Sequence, residues 1–404
     1  MSVLALNGGK PVRKSDFPKW PIKNEKELIK LKEVWESGKW GVYSEYTKEF
    51  EEKFAKKFGA KYALSAVNGT TSMWIALRAA GIGLGDEVII PPYTFIATAV
   101  AVLLANAVPV FCDIDSETYN INPDKIEEKI TSKTKAIIPV HIGGMPCDME
   151  NIMRIAKKHN LFVLEDAAQA HYSSINNKMI GTFGDIGSFS FQMSKNMTAG
   201  EGGILISDNA ELMDRCFSFQ NCGRIKGGAW YEHPYLAANN RMTAFQSAVL
   251  MEQLDFCEEI TRKREKNALY LAKNISEIEG LTCQKRSEKI TSAAYHLFIF
   301  RYDKRYFKNV HRDIFIKALN AEGIPVSSGY IPLYKFEAIQ RTEKEYPWLN
   351  GREYNKLYLP VCEYACYEES IWLYQNVLLG EKSDIDDIIE AIIKVKNNID
   401  ELIK

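Results

Sequence analysis

No charge of either sign prevails in this sequence: 51 Lys and Arg face 52 Asp and Glu, a formal net charge of −1. Without a global field the chain cannot recruit nucleic acid or an anionic membrane surface, so a small-molecule partner is expected. A long apolar run is missing too. The longest, Ala97 to Val110, is interrupted by Asn106 and falls short of the roughly 20 residues that span a bilayer. The opening Met1 to Lys10 lacks the basic, apolar, small-residue order of a secretory signal, so a cytoplasmic, reducing setting is expected. The eight cysteines form no C-x-x-C pair and no Cys/His cluster with zinc spacing; small buried thiols are expected, and no metal. Repeats and Pro/Ser-rich linkers are absent, so domain boundaries have to come from pattern.

Present is an ordinary globular composition, 46% hydrophobic and 25% charged, on 404 residues. That length exceeds what one core serves, and two domains leave a cleft between them. Short apolar runs at Lys61 to Val67, Glu87 to Ile90, Val108 to Asp113, Ala136 to His141, Leu161 to Glu165, Ile186 to Phe191 and Gly203 to Ser207 predict strands. Helical patterns lie between several of them, including Ser72 to Ala80, Phe95 to Leu104 and Met149 to Lys158. The alternation predicts an α/β fold with a mostly parallel sheet that binds its ligand at the carboxyl ends of the strands. Beyond Phe256 the pattern changes to a charged helix near Ile260 to Ile278, a strand Tyr295 to Tyr302, and helices Arg312 to Glu322 and Asp384 to Leu402. A large domain at 1–255, including an N-terminal arm, and a smaller α+β domain at 256–404 are expected. The alternative is an irregular cap on a single domain.

Three segments carry chemistry. After the first strand comes Asn68-Gly69-Thr70-Thr71, where Gly69 permits close backbone approach, the threonines add hydroxyls and a helix N-terminus offers free N–H groups, together a phosphate cradle. From this turn alone a plain N-cap by Asn68 or Thr70 is the favoured reading, because such turns are common. The strand Leu161 to Leu164 runs into Glu165-Asp166-Ala167-Ala168-Gln169-Ala170-His171; a carboxylate at a buried strand end needs a partner, and Asp166 is the expected inward one. A third strand ends at Ser188-Phe189-Ser190-Phe191-Gln192-Met193-Ser194-Lys195-Asn196, ahead of the glycine-rich Gly200-Glu201-Gly202-Gly203. A lysine in such a polar turn is usually just solvated; desolvated, it has the lowered pKa that an imine-forming amine requires. Cradle, carboxylate and, 29 positions later, lysine match the three handles of pyridoxal 5′-phosphate: phosphate, ring nitrogen and aldehyde.

With these motifs the sequence resembles the DegT/StrS family of sugar aminotransferases, among the fold type I pyridoxal phosphate enzymes. The resemblance extends over Leu6-Asn7-Gly8-Gly9-Lys10-Pro11-Val12, Tyr93-Thr94-Phe95-Ile96-Ala97-Thr98, Pro139-Val140-His141-Ile142-Gly143-Gly144, Asn239-Asn240-Arg241-Met242-Thr243 and Ala321-Glu322-Gly323-Ile324-Pro325. It implies that Lys195 is the Schiff-base lysine and proton shuttle and Asp166 the partner of the pyridinium nitrogen. Gln169 is implied beside the 3′-oxygen, Phe95 stacked on the ring, and Gly69, Thr70, Thr71 and Ser190 around the phosphate. For Phe95 an ordinary core phenylalanine in an apolar helix is the competing expectation. Asn239 matches the residue that reaches the phosphate of a neighbouring subunit, which implies a homodimer; around it the family's glycine and aromatic are replaced by Ala237-Ala238.

The segments Asn221 to Arg224, Trp230 to His233 and Trp372 to Gly380 resemble the cyclitol (scyllo-inosose type) and aminohydroxybenzoate branch, whose members commonly use glutamine as donor. The resemblance therefore implies transfer of an amino group from glutamine or glutamate to a keto-sugar or keto-cyclitol in aminocyclitol or amino-sugar biosynthesis. A nucleotide-linked keto-sugar aminotransferase using glutamate is the alternative. A sugar dehydratase of the same fold carries histidine where Lys195 stands. A non-enzymatic regulator has no need of lysine, aspartate and cradle together. Loops Gly41-Val42-Tyr43 and Ser328-Gly329-Tyr330 are expected to set acceptor specificity.

Overall fold

The computed structural model describes residues 3–41, 44–349 and 351–403. The positions Val42 and Tyr43, expected to shape specificity, lie outside them. Seven strands form the main sheet: β1 (Tyr62–Ala66), β2 (Glu87–Ile90), β3 (Val108–Phe111), β4 (Thr134–Ile137), β5 (Phe162–Asp166), β6 (Ile186–Ser190) and β7 (Gly203–Ser207). Their order is β1-β7-β6-β5-β4-β2-β3, parallel from β6 to β3, with β7 alone antiparallel to both its neighbours. The expected mostly parallel α/β sheet is present.

Alternation along these strands feeds two separate cores. Val88, Ile90, Ala136, Leu164, Ile186 and Leu205 pack into one cluster, with helices α3 (Gly69–Ala79), α4 (Ala97–Leu104) and α6 (Ala210–Gln220). Their strand neighbours Ile89, Ile137 and Val163 pack on the opposite face with helix α5 (Met149–His159), and Phe189, Ile204 and Ile206 pack there with helix α2 (Glu45–Phe58). Helix α1 is Glu25–Ser37. A sheet covered on both faces explains why these strands read as continuous apolar runs.

Helix α7 (Ala244–Ile275) is longer than its charged second half predicts and starts earlier. Its first half buries Ala244, Ser247, Ala248, Leu250 and Met251, none of them β-branched, without the charge alternation of an exposed helix. The expected boundary at 255/256 falls inside this unbroken helix. Beyond it, β8 (Leu281–Cys283), β9 (Leu297–Tyr302), β10 (Val326–Ser327) and β11 (Ser370–Tyr374) form an antiparallel sheet in the order β8-β9-β11-β10, with helices Arg312–Ala321 and Lys382–Asn397 in its core. The N-terminal arm joins this second core through Leu4 and Phe17, and Glu322 accepts from the N–H groups of Ala5 and Val12. Among the described residues no helix is long and apolar enough to cross a membrane.

Candidate active site

The carboxyl ends of β1, β2, β5 and β6 open on a cavity of about 740 Å³ whose lining includes Gly69, Thr70, Phe95, Asp166, Gln169, Ser190 and Lys195. These residues are scattered over 127 positions of chain, and the sheet brings them together.

The first wall is the start of α3. Asn68 caps it, its Oδ1 accepting from the Thr71 N–H at 2.8 Å and the Thr71 hydroxyl at 2.6 Å. Thr71 thus turns both its donors onto Asn68 and does not line the cavity, whereas the Gly69 and Thr70 N–H groups stand in the first turn, where a helix supplies no acceptor. The fit here is tight: a Cβ at position 69 would stand 2.8 Å from Ser190 Cβ, and one at 203 would stand 2.6 Å from the Asn68 carbonyl carbon.

At the end of β5, adjacent carboxylates face opposite ways, as the pleat requires. Glu165 turns to the loop after Met179 and accepts from the N–H groups of Gly181, Phe183 and Gly184 at 2.6–2.8 Å, with His141 Nε2 at 3.2 Å. Asp166 turns to the cavity. Its Oδ2 accepts from the Thr98 hydroxyl at 2.9 Å and its Oδ1 from the Ala168 N–H at 3.2 Å. Burial raises its pKa, and the Thr98 and Ala168 donors, then Lys195, pull it back. Thr98 was not legible as a site residue; it lies one turn into an apolar helix pattern.

Among the described residues the Lys195 ammonium has no hydrogen bond or ion pair, and burial lowers its pKa, with the charge of Asp166 opposing. Gln169, 4% exposed, accepts from the Gly143 N–H at 2.7 Å and donates from Nε2 to the Tyr330 hydroxyl at 2.9 Å, so it braces two loops as well as lining the cavity. Phe95 is not a core residue: it is 58% exposed, lines the cavity, and precedes α4, which begins at Ala97 rather than at Phe95. Asn239 does not line the cavity; it is exposed and bridged to Asn221.

Trp20, His296, Tyr330, Trp372, Tyr374 and Gln375 complete the lining from the arm and the smaller sheet. Tyr330 packs edge-on against Trp372 at 4.5 Å. Among the described residues no group of three His, Cys, Asp or Glu side chains is placed to hold a metal, and all eight cysteines are free.

A buried, unpaired lysine facing a carboxylate across a cavity with a helix N-terminus at one end suits amino-group chemistry. Residues 21–392 match the DegT/DnrJ/EryC1/StrS aminotransferase family. The chain belongs to this family. It is an aminotransferase. A relative from Streptoalloteichus tenebrarius, provisionally named L-glutamine:3-amino-2,3-dideoxy-scyllo-inosose aminotransferase, is 39% identical over 99% of both chains. Among solved structures, 3-amino-5-hydroxybenzoic acid (AHBA) synthase superposes with a TM-score of 0.86 at 28% identity, covering 96% of this chain and 100% of that one. NtdA from Bacillus subtilis with bound cofactor PMP gives a TM-score of 0.81 at 27% identity, covering 95% of this chain and 86% of that one. The fold type I architecture and the cyclitol-branch resemblance of the sequence are both upheld.

Proposed function

We propose that this aminotransferase binds pyridoxal 5′-phosphate and carries the α-amino group of L-glutamine to a free keto-cyclitol of the scyllo-inosose type. The observation that carries the reading is the convergence of Lys195, Asp166 and the Asn68–Thr70 turn on one cavity. The residues fit the cofactor. Among the described residues the Gly69 and Thr70 N–H groups have no partner, and they stand at a turn where a side chain at 69 would press on Ser190, a cradle suited to a phosphate. Asp166 is a buried carboxylate for which a protonated ring nitrogen supplies a counter-charge. Phe95 offers an exposed ring face, and Lys195 a free amine.

When bound, the cofactor supplies an aldehyde to take up the amino group and a ring that withdraws electrons from the donor's α-carbon. Lys195 then takes the α-proton on Nζ and redelivers it, helped by burial that favours its neutral form. Against the burial of Asp166, Thr98 and the Ala168 N–H favour its ionised form, which would hold the ring nitrogen's proton. Gln169, held by Gly143 and Tyr330, would stand beside the ring's oxygen. Aromatic planes at Trp20, Tyr330 and Trp372, with the hydroxyl of Tyr374 and the amide of Asn376, suit a polyhydroxylated ring, which offers C–H faces and many hydroxyls.

The exposed position of Asn239 supports service to a second copy, and we take the working enzyme to be a cytoplasmic homodimer. The reading is tested on the cofactor-loaded enzyme: L-glutamine should abolish the visible absorbance of the lysine-bound cofactor, and a keto-cyclitol should restore it. Bleaching by glutamine that only a nucleotide-linked keto-sugar reverses would move the acceptor to that class.

A further inference from the structure

His296 and Gln375 immediately flank the last cross-strand pair of β9 and β11, Leu297↔Tyr374, so they stand opposite one another, and both line the cavity. Each has its hydrogen-bonding polarity set from behind. Arg264 is 0% exposed, and among the described residues no carboxylate lies within 4.0 Å of it. Its Nη2 donates to Gln375 Oε1 at 2.8 Å. A guanidinium only donates, so the carbonyl end of Gln375 points to Arg264 and Nε2 is left toward the cavity as a donor. Gln375 is 4% exposed, and its Nε2 has no partner among the described residues.

His296, 7% exposed, is set in the complementary sense. Asn196 Nδ2 donates to the Ala294 carbonyl at 2.8 Å, which fixes the orientation of that amide. Its Oδ1 therefore faces His296 Nδ1 at 3.1 Å and requires a proton there. The neutral ring then carries its lone pair on Nε2, toward the cavity. Burial, then the charges of Lys195, Arg264 and His171, hold His296 well below its ordinary pKa and keep it neutral. An uncompensated buried arginine is costly in itself. Here it does two things: it orients Gln375, and it opposes a second positive charge on His296.

We propose that His296 and Gln375 form a donor-and-acceptor pair that reads the side-chain carboxamide of the amino donor, and so selects glutamine over glutamate. The amide oxygen accepts from Gln375 Nε2 and the amide NH2 donates to His296 Nε2. A γ-carboxylate has no proton for His296 and sets two lone pairs against each other, the unpaired polar contact that gives strong rejection. The inference rests on the donor half of the proposed function.

The test is single-turnover conversion of the cofactor-loaded enzyme with L-glutamine and with L-glutamate, for wild type, H296L and Q375E. Q375E keeps a partner for Arg264, so it remains informative if H296L fails to fold. The ratio of the two rate constants should favour glutamine in wild type and fall by roughly tenfold or more in both variants, the loss of about one hydrogen bond to a buried group. The return reaction with the keto acceptor should change much less; a larger change there than in the donor ratio would assign the pair to the acceptor and overturn the inference. An unchanged ratio in both variants would also overturn it. Calorimetric binding of glutaramate and glutarate to the same proteins needs no turnover. If wild type converts neither donor the proposed function fails, and the pair is still decided: preferential glutaramate binding lost in the variants supports it, and equal binding by wild type and variants refutes it.

Discussion

At the scale of single residues, Lys195 and Asp166, the groups proposed to touch the reacting atoms, were legible through their combination with the Asn68–Thr70 turn. A lysine in a polar turn is usually just solvated, and only together with the carboxylate and the cradle does Lys195 stand out; the structure puts it on one cavity with Asp166. Their supports were not legible. Thr98, His296 and Arg264 read as ordinary helix and strand residues, Tyr330 was expected as a specificity residue rather than as a brace for Gln169, and only tertiary packing makes them partners of Asp166, Gln169 and Gln375. Lys195→Ala should fold and hold the cofactor without the visible absorbance of the lysine-bound form, with turnover down by roughly a thousandfold or more. Retained absorbance would move that role to another lysine. Asp166→Asn should keep the cofactor and lose at least about a hundredfold in turnover, because an amide cannot hold the ring nitrogen's proton. Gln169→Ala should lose less turnover but more stability, since it leaves the buried Gly143 N–H unpaired, a cost of about 1–3 kcal/mol readable in thermal unfolding.

At the scale of elements, the strands β2 and β7 match the expected runs to the residue, since continuous β-branched stretches between polar turns leave little freedom. The helices are less faithful. The expected Phe95 to Leu104 begins at Ala97, leaving Phe95 free to face the cavity, and the buried first half of α7 hid its start. Two predictions belong here. Gly69→Ala drives a Cβ to 2.8 Å from Ser190 and should weaken cofactor retention on dialysis by about tenfold while the protein stays folded. The second concerns α2, where Glu51 Oε1 accepts from both the N–H and the hydroxyl of Ser65 in β1, each at 2.7 Å. Burial pushes its pKa up to about 7 from 4.5. A carboxyl raised in the folded state binds its proton more tightly there than in the unfolded chain. Its contribution is fully present below pH 4.5 and is lost as pH rises to about 7. Glu51→Gln keeps both hydrogen bonds on its oxygen, so it should leave unfolding at pH 4.5 nearly unchanged and stabilise the protein at pH 8 by up to about 3 kcal/mol. Equal effects at the two pH values would show that Glu51 does not titrate in this range.

At the scale of the whole molecule, the sheet gathers the cavity and the second core closes it. The packing of the arm onto the second core through Glu322 was not legible, because contacts between segments distant in sequence leave no local pattern. Asn239 gives the assembly its test. Mixed dimers of Lys195→Ala and Asn239→Ala subunits, each defective alone, should regain activity if Asn239 serves a partner, because one of the two sites then holds both intact residues. Proven heterodimers without recovery would return Asn239 to its own subunit. The central claim, that this chain moves an α-amino group from glutamine to a keto-cyclitol by way of Lys195, is tested most directly by following nitrogen. With glutamine labelled by 15N at the α-amino group and 2-deoxy-scyllo-inosose as acceptor, the aminated cyclitol should carry the label with wild type and none should form with Lys195→Ala. Unlabelled product, or label transferred only from the side-chain amide, would contradict the account.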